Sequence, residues 1–179
     1  MTTVAVAALA LSAFAIESGL KKGESVSPFH PEHISGPLAN STKCFPCTFQ
    51  QRPQVQVWVN GDDKANVTAV LKDLDKMIGQ YTKNEFKALV VFVVNETDVK
   101  SAKAAIGKHI ATLGLKQVGV AVIANNHEAV SSYKINLDGS VKNTVFVYKN
   151  WKVTDKMVNL KADSNGIASL NKAIASIAK

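Results

Sequence analysis

The sequence lacks the features that mark several large classes of protein. It contains a single arginine, Arg52, and its lysines are scattered, with no run longer than Lys21-Lys22. Because base recognition and bidentate phosphate binding favour arginine, the net charge of +7 does not indicate a nucleic-acid partner, and we expect none. The chain also has no Gly-rich phosphate loop and no G-x-S-x-G signature, so it resembles neither a P-loop nucleotidase nor a serine hydrolase.

Proline is absent from most of the chain. All five prolines lie between Pro28 and Pro53, and none follows. Proline removes a backbone donor and interrupts helices and sheets. The distribution therefore predicts an irregular, proline-rich segment over residues 16–53, followed by regular elements over residues 54–179.

Charge is absent from the N-terminus, where the first charged residue is Glu17. The apolar run over residues 3–16 is shorter than the roughly 20 residues that a membrane-spanning helix needs. We therefore expect no stable membrane span once this run is cleaved off. It matches a signal-peptide core ending in the small-x-small site Ala13-Phe14-Ala15, although no Lys or Arg precedes it. We predict a signal peptide over residues 1–15 and export to a periplasm or the exterior. An N-terminal core helix or a retained anchor is the alternative.

The regular part of the chain alternates strand and helix patterns. Alternation of apolar and polar residues predicts the first strand, β-branched runs predict buried strands, and a 3.6-residue apolar period predicts amphipathic helices. The predicted order is strand 54–60, a helix capped by Asp62 or Asp63 and running to about Lys83, strand 86–94, helix 98–113 and strand 118–124.

The last third of the chain predicts a hairpin and a closing helix. A polar connector over residues 125–142, with one short helix, leads to a strand at 143–148, a tight turn at Lys149-Asn150 and a strand at 151–160. Ser164 is the predicted cap of the final helix. Right-handed crossovers make the first three strands parallel, so we predict an α/β domain with a mixed central sheet and helices on both faces.

This order resembles the thioredoxin fold, which is a three-layer α/β/α domain. The segment TVFVYKNWKV and the helix after it are similar to the closing hairpin and helix of thioredoxin-like proteins. GLKKGESVSPF, at residues 19–29, resembles the beginning of secreted thioredoxin-like and peroxiredoxin-like proteins. The span SPFHPEHISGP…CFPC…RPQVQVWV looks like uncharacterised exported thioredoxin-like proteins of planctomycete-type bacteria. The resemblance covers about residues 19–178 and implies thiol–disulfide chemistry with a protein partner.

Two departures from the thioredoxin pattern weaken that implication. Thioredoxins place Cys-x-x-Cys after the first core strand, at the start of a helix, whereas CFPC precedes the QVQVWVN strand here. The position after that strand holds Asn60-Gly61-Asp62-Asp63. Thioredoxins also place a cis-proline before the hairpin, where this chain has Ser140-Val141-Lys142-Asn143. Both differences argue against ordinary dithiol–disulfide exchange.

Cys44 and Cys47 are nevertheless the candidate catalytic residues. Lys43 favours the thiolate of Cys44, which predicts attack by Cys44 and resolution by Cys47. A structural disulfide is the alternative, although so short a loop gains little from chain entropy. His30 and His33 precede the cysteines and could complete a tetrahedral metal site, a third reading that we rank last. We expect no cofactor, and the pattern does not indicate an oligomeric state.

The position of the cysteines on the sheet is indicated by the short segment that connects them to the first core strand. Arg52-Pro53 runs directly into the first core strand and leaves no room for another crossover. We therefore favour the edge where this strand starts, opposite the edge that thioredoxins use. The alternative stays open, because the seven residues from Cys47 to Gln54 can reach about 23–25 Å when extended, so the segment could fold back and place the cysteines beside Gly61 and the loop before Thr144. Two hypotheses follow: a thiol–disulfide exchange protein with weak general reductase activity, or a non-enzymatic binding or scaffold module with a structural disulfide.

Overall fold

The computed structural model describes residues 16–179, so the predicted signal peptide lies outside the described residues. Six strands and five α-helices alternate along this part of the chain. Within it, no helix is both long and apolar enough to cross a membrane. The elements are β1 (Glu32–Ser35), α1 (Phe45–Phe49), β2 (Gln54–Val59), α2 (Lys64–Gln80), β3 (Lys87–Val94), α3 (Val99–Ala111), β4 (Gly119–Ala124), α4 (Glu128–Ser132), β5 (Asn143–Lys149), β6 (Lys152–Val158) and α5 (Ser164–Ile177), with 3₁₀ turns at Thr82–Asn84 and Glu96–Asp98.

The strands form one mixed sheet in the order β1-β4-β3-β2-β5-β6. Strands β2, β3 and β4 are parallel, as the crossover rule predicts, whereas β5 is antiparallel to β2 and pairs with β6 as a hairpin. The hairpin turn lies at Asn150-Trp151, one residue later than predicted, and both residues have positive φ. These two conformations match the twist of the flanking strands.

Each face of the sheet carries its own core. Helices α2, α3 and α5 pack on one face, where the predicted apolar positions of α2, including Leu71 and Leu74, are buried. The N-terminal segment, α1 and α4 cover the other face, around Trp58 and Tyr133. Helical layers on both faces confirm the predicted three-layer architecture.

The proline-rich segment is irregular over most of its length but contains two elements that the sequence did not predict, β1 and α1. The segment begins beside the hairpin, where Ser25 bridges to Lys152. It then crosses one face of the sheet, burying Phe29, and reaches the opposite edge as β1, antiparallel to β4. Residues 16–53 therefore supply both an edge strand and part of the core.

Two helix starts test the capping predictions. Asp63 caps α2, and its carboxylate accepts hydrogen bonds from the amides of Ala65 and Asn66, as predicted. The cap of α5 is Asp163, which accepts a hydrogen bond from Gly166 N at 2.8 Å, so the prediction of Ser164 is wrong by one residue. Either residue type can cap, and the backbone conformation selects the one that does.

Candidate functional site

The two cysteines are brought together by the short helix α1. Cys44 is its N-cap, and Pro46 stands in the first turn, where the missing proline N–H costs no helical hydrogen bond. The Cα atoms of Cys44 and Cys47 are 5.2 Å apart, and their sulfurs form a disulfide. The CFPC motif thus folds as one helical turn closed by its own bond.

The cysteine pair lies at the edge where the parallel strands start. Three contacts fix α1 there, one to the first residue of each parallel strand. The Phe45 ring lies 3.4 Å from the position that a Cβ would take on Gly119, which begins β4. Lys87 Nζ, at the start of β3, stands 5.6 Å from the centroid of the Phe49 ring. Gln54, which begins β2, donates from Nε2 to the carbonyl that follows α1, at 3.0 Å. The predicted edge is therefore confirmed.

The two sulfur-bearing residues differ in exposure. Cys44 is 5% exposed, whereas Cys47 is exposed. The backbone of Cys44 is held by its own helix, because its carbonyl accepts hydrogen bonds from Thr48 N at 3.0 Å and from Thr48 Oγ1 at 2.9 Å. Cys44 Sγ also accepts a hydrogen bond from the amide of Cys47 at 3.1 Å.

Both predicted histidine ligands bind backbone carbonyls instead. His33 Nε2 donates to Lys43 O at 2.9 Å, and His30 Nδ1 donates to Thr42 O at 3.0 Å. His33 is 1% exposed, and burial lowers its pKa, an effect that the hydrogen bond to Lys43 only partly opposes. Within residues 16–179, no three His, Cys, Asp or Glu side chains are grouped to hold a metal ion. His33 therefore holds Lys43, the residue that precedes Cys44, in place. No local pattern in the sequence indicated this role.

The opposite edge, where thioredoxins place their cysteines, carries a network of polar side chains here. Asp62 Oδ2 accepts hydrogen bonds from Asn66 Nδ2 at 2.8 Å and from Asn143 Nδ2 at 2.6 Å. Both amides also donate to Leu160 O, at 3.0 Å each. The network ties the start of α2 to β5 and to the segment before α5. Its amide members lie far apart in sequence, so the sequence predicted only the aspartates.

Comparisons with known proteins identify the fold. No protein-family model matches the sequence, and no curated protein matches it either. Solved structures do match: a candidate thiol:disulfide interchange protein DsbE from Chlorobium tepidum has a TM-score of 0.66 and 16% identity, over 89% of this chain and 99% of that one. Peroxidoxin BcpB from Mycobacterium tuberculosis has a TM-score of 0.63 and 13% identity, over 88% and 96%. The reduced 2-Cys peroxiredoxin of Plasmodium vivax has a TM-score of 0.63 and 16% identity, over 87% and 95%. The chain therefore has a thioredoxin-like α/β fold.

Proposed function

We propose that this chain is an exported protein that exchanges disulfides with protein thiols through Cys44 and Cys47. The observation that carries the proposal is the pairing itself: two cysteines three residues apart are bonded to each other, with one of them at the surface. Exchange requires a sulfur that an incoming thiolate can reach, and Cys47 is the exposed residue of the pair. No cofactor is needed for this reaction.

The comparisons support the proposal at the level of fold. One structural neighbour is described as a candidate thiol:disulfide interchange protein, and two others are a peroxidoxin and a peroxiredoxin. Export rests on the sequence, through the Ala13-Phe14-Ala15 site and the resemblance to exported planctomycete-type proteins. Both the export and that kinship stay predictions.

The displaced position of the pair limits the expected activity. The opposite edge, which thioredoxins use, carries the Asp62–Asn66–Asn143 network and no cysteine. A substrate must therefore bind beside α1. It cannot use the opposite edge of the sheet, where thioredoxins bind their substrates. We expect general disulfide reduction to be weak and the physiological substrate to be a selected protein.

The decisive measurement is the reduction potential of the Cys44–Cys47 pair, from equilibration with a glutathione or dithiothreitol couple. A potential above about −300 mV is expected for an exchanging pair. A potential far below that value indicates an inert structural bond and contradicts the proposal. Insulin reduction complements the measurement: turnover comparable to a thioredoxin, abolished by Cys44→Ser, would overturn the expectation of weak general activity.

The second candidate function is a non-enzymatic binding or scaffold module. It is favoured by the edge of the sheet where thioredoxins place their cysteines. In this chain that edge carries the hydrogen-bonded Asp62–Asn66–Asn143 network and no cysteine. In that case the disulfide would only stiffen α1, and so short a loop stabilises by about 2 kcal/mol in the chain-entropy account. A strongly reducing potential together with unchanged partner binding after Cys47→Ser would favour this function.

A further inference from the structure

The two cysteines of the pair differ in exposure to solvent, and their order in the sequence does not reveal this difference. In the sequence interpretation Cys44 attacks and Cys47 resolves. In the structure Cys44 is 5% exposed and Cys47 is exposed. Exchange depends on which sulfur an incoming group can reach as well as on its charge state. We infer that Cys47 is the sulfur that exchanges with substrate and that Cys44 is the buried resolving partner, an inference that rests on the proposed function.

The burial of Cys44 is imposed from both sides along the chain. The carbonyl before it, on Lys43, accepts the hydrogen bond from buried His33 at 2.9 Å. The residue after it, Phe45, is fully buried against the start of β4. The carbonyl of Cys44 itself binds Thr48 twice. Because these contacts do not involve the disulfide, we expect Cys44 to stay buried after reduction.

The same geometry suits Cys44 as a leaving group. Its Sγ already accepts the amide N–H of Cys47 at 3.1 Å, and a hydrogen bond of this kind stabilises a thiolate more than it stabilises a bonded sulfur. When the bond opens, the negative charge can therefore form at Cys44 without the backbone moving. No acidic residue occurs in the sequence between Glu32 and Asp62, and the Glu85 carboxylate that reaches Arg52 after α1 is paired with its guanidinium, Nε to Oε1 at 2.9 Å.

The reaction can be written in two balanced steps. In the oxidising direction a substrate thiolate attacks Cys47 Sγ, an S–S bond forms between them, and the electron pair of the broken bond passes to Cys44 as a thiolate. A second thiolate of the substrate then attacks the substrate sulfur of this mixed disulfide and releases Cys47 as a thiolate. The substrate dithiol is oxidised to a disulfide, and the Cys44–Cys47 pair takes up its two electrons. The reductive direction reverses both steps.

Single-cysteine variants test the assignment directly. Cys44→Ser retains only the exposed sulfur, and Cys47→Ser retains only the buried one. Each reduced variant is mixed with dithiodipyridine at neutral pH, and thiopyridone release is followed by absorbance. We expect the native Cys44→Ser protein to react at least about ten-fold faster than the native Cys47→Ser protein. In denaturing guanidinium chloride the two rates should become similar, since the fold alone protects Cys44.

The outcomes separate this inference from the function on which it rests. Equal rates in the native proteins, or a faster Cys47→Ser protein, would overturn the inference while leaving exchange by the pair intact. A strongly reducing potential for the wild-type pair would overturn both. Cys44→Ala provides a second exposed-sulfur variant should serine at the buried position perturb folding, and circular dichroism establishes that each variant is native. A faster Cys44→Ala protein supports the assignment, and a slower one contradicts it.

Discussion

His33 should make the stability of this domain depend on pH in a way that one substitution removes. The side chain is buried, its Nε2 donates to Lys43 O, and its Nδ1 has no hydrogen-bond partner. Protonation would place a charge and an unpaired N–H in the interior. Burial accordingly lowers the pKa of His33 below its ordinary value of 6.5.

The sign and the size of the effect follow from proton binding. Below the ordinary pKa the unfolded chain takes up a proton that the folded His33 resists, so this contribution to stability is complete above pH 6.5 and is lost as pH falls. One proton changes the free energy of unfolding by at most about 1.4 kcal/mol per pH unit. Because the unfolded imidazole is mostly unprotonated above its ordinary pKa of 6.5, only the lower half of the range from about pH 7.5 to 5.5 contributes fully, and the loss from His33 over it is at most about 1.4 kcal/mol.

Urea unfolding of matched variants isolates this contribution. His33→Gln keeps a donor near the position of Nε2 but does not titrate, whereas His33→Asn does not titrate and is too short to reach Lys43 O. We expect the stability advantage of the wild-type protein over His33→Gln to shrink as pH falls below 6.5. His33→Asn should show the same pH profile as His33→Gln, displaced to lower stability by about 0.5–1.5 kcal/mol for the lost hydrogen bond to Lys43 O. Parallel curves for wild type and His33→Gln over the whole range would refute the reasoning.

Two further predictions concern the core and the N-terminus. Tyr148→Phe should destabilise the domain by about 2–5 kcal/mol, because it leaves two buried glutamine groups unpaired, Gln54 Oε1 at 2.7 Å and Gln56 Nε2 at 2.8 Å. In the same denaturation assay the control Tyr133→Phe, which loses one bond to Ser27 O, should cost less, and equal costs would contradict this account. Mature protein from its native host should begin near Ile16 by N-terminal sequencing, and an intact Met1 would contradict export by cleavage.

Local pattern was sufficient for most of the framework. The β-branched runs of β3 and β4, the apolar period of α2 and the cap at Asp63 are properties of neighbouring residues, so they are readable before folding. The edge that carries the cysteines was favoured by the sequence, because Arg52-Pro53 leads directly into β2. The seven residues from Cys47 to Gln54 can still extend to about 23–25 Å, so only the folded chain decided between the two edges.

Long-range contacts decided what local pattern could not. Strand β1 has only four residues, and its neighbour β4 supplies the hydrogen bonds that define it as the edge strand. The glutamines of β2 look like solvent-facing positions in an alternating strand, yet both are fully buried. Tyr148, from β5, satisfies their amides, because antiparallel pairing places it directly opposite Gln54.

Which of the two cysteines is exposed was decided by the tertiary structure alone. The sequence determined that Cys44 and Cys47 are close enough to bond, since they stand three positions apart, within one helical turn. Which sulfur is reachable depends on His33, on the start of β4 and on the packing of Phe45 between them. These groups come from separate parts of the chain, and burial is a property of their assembly rather than of the motif.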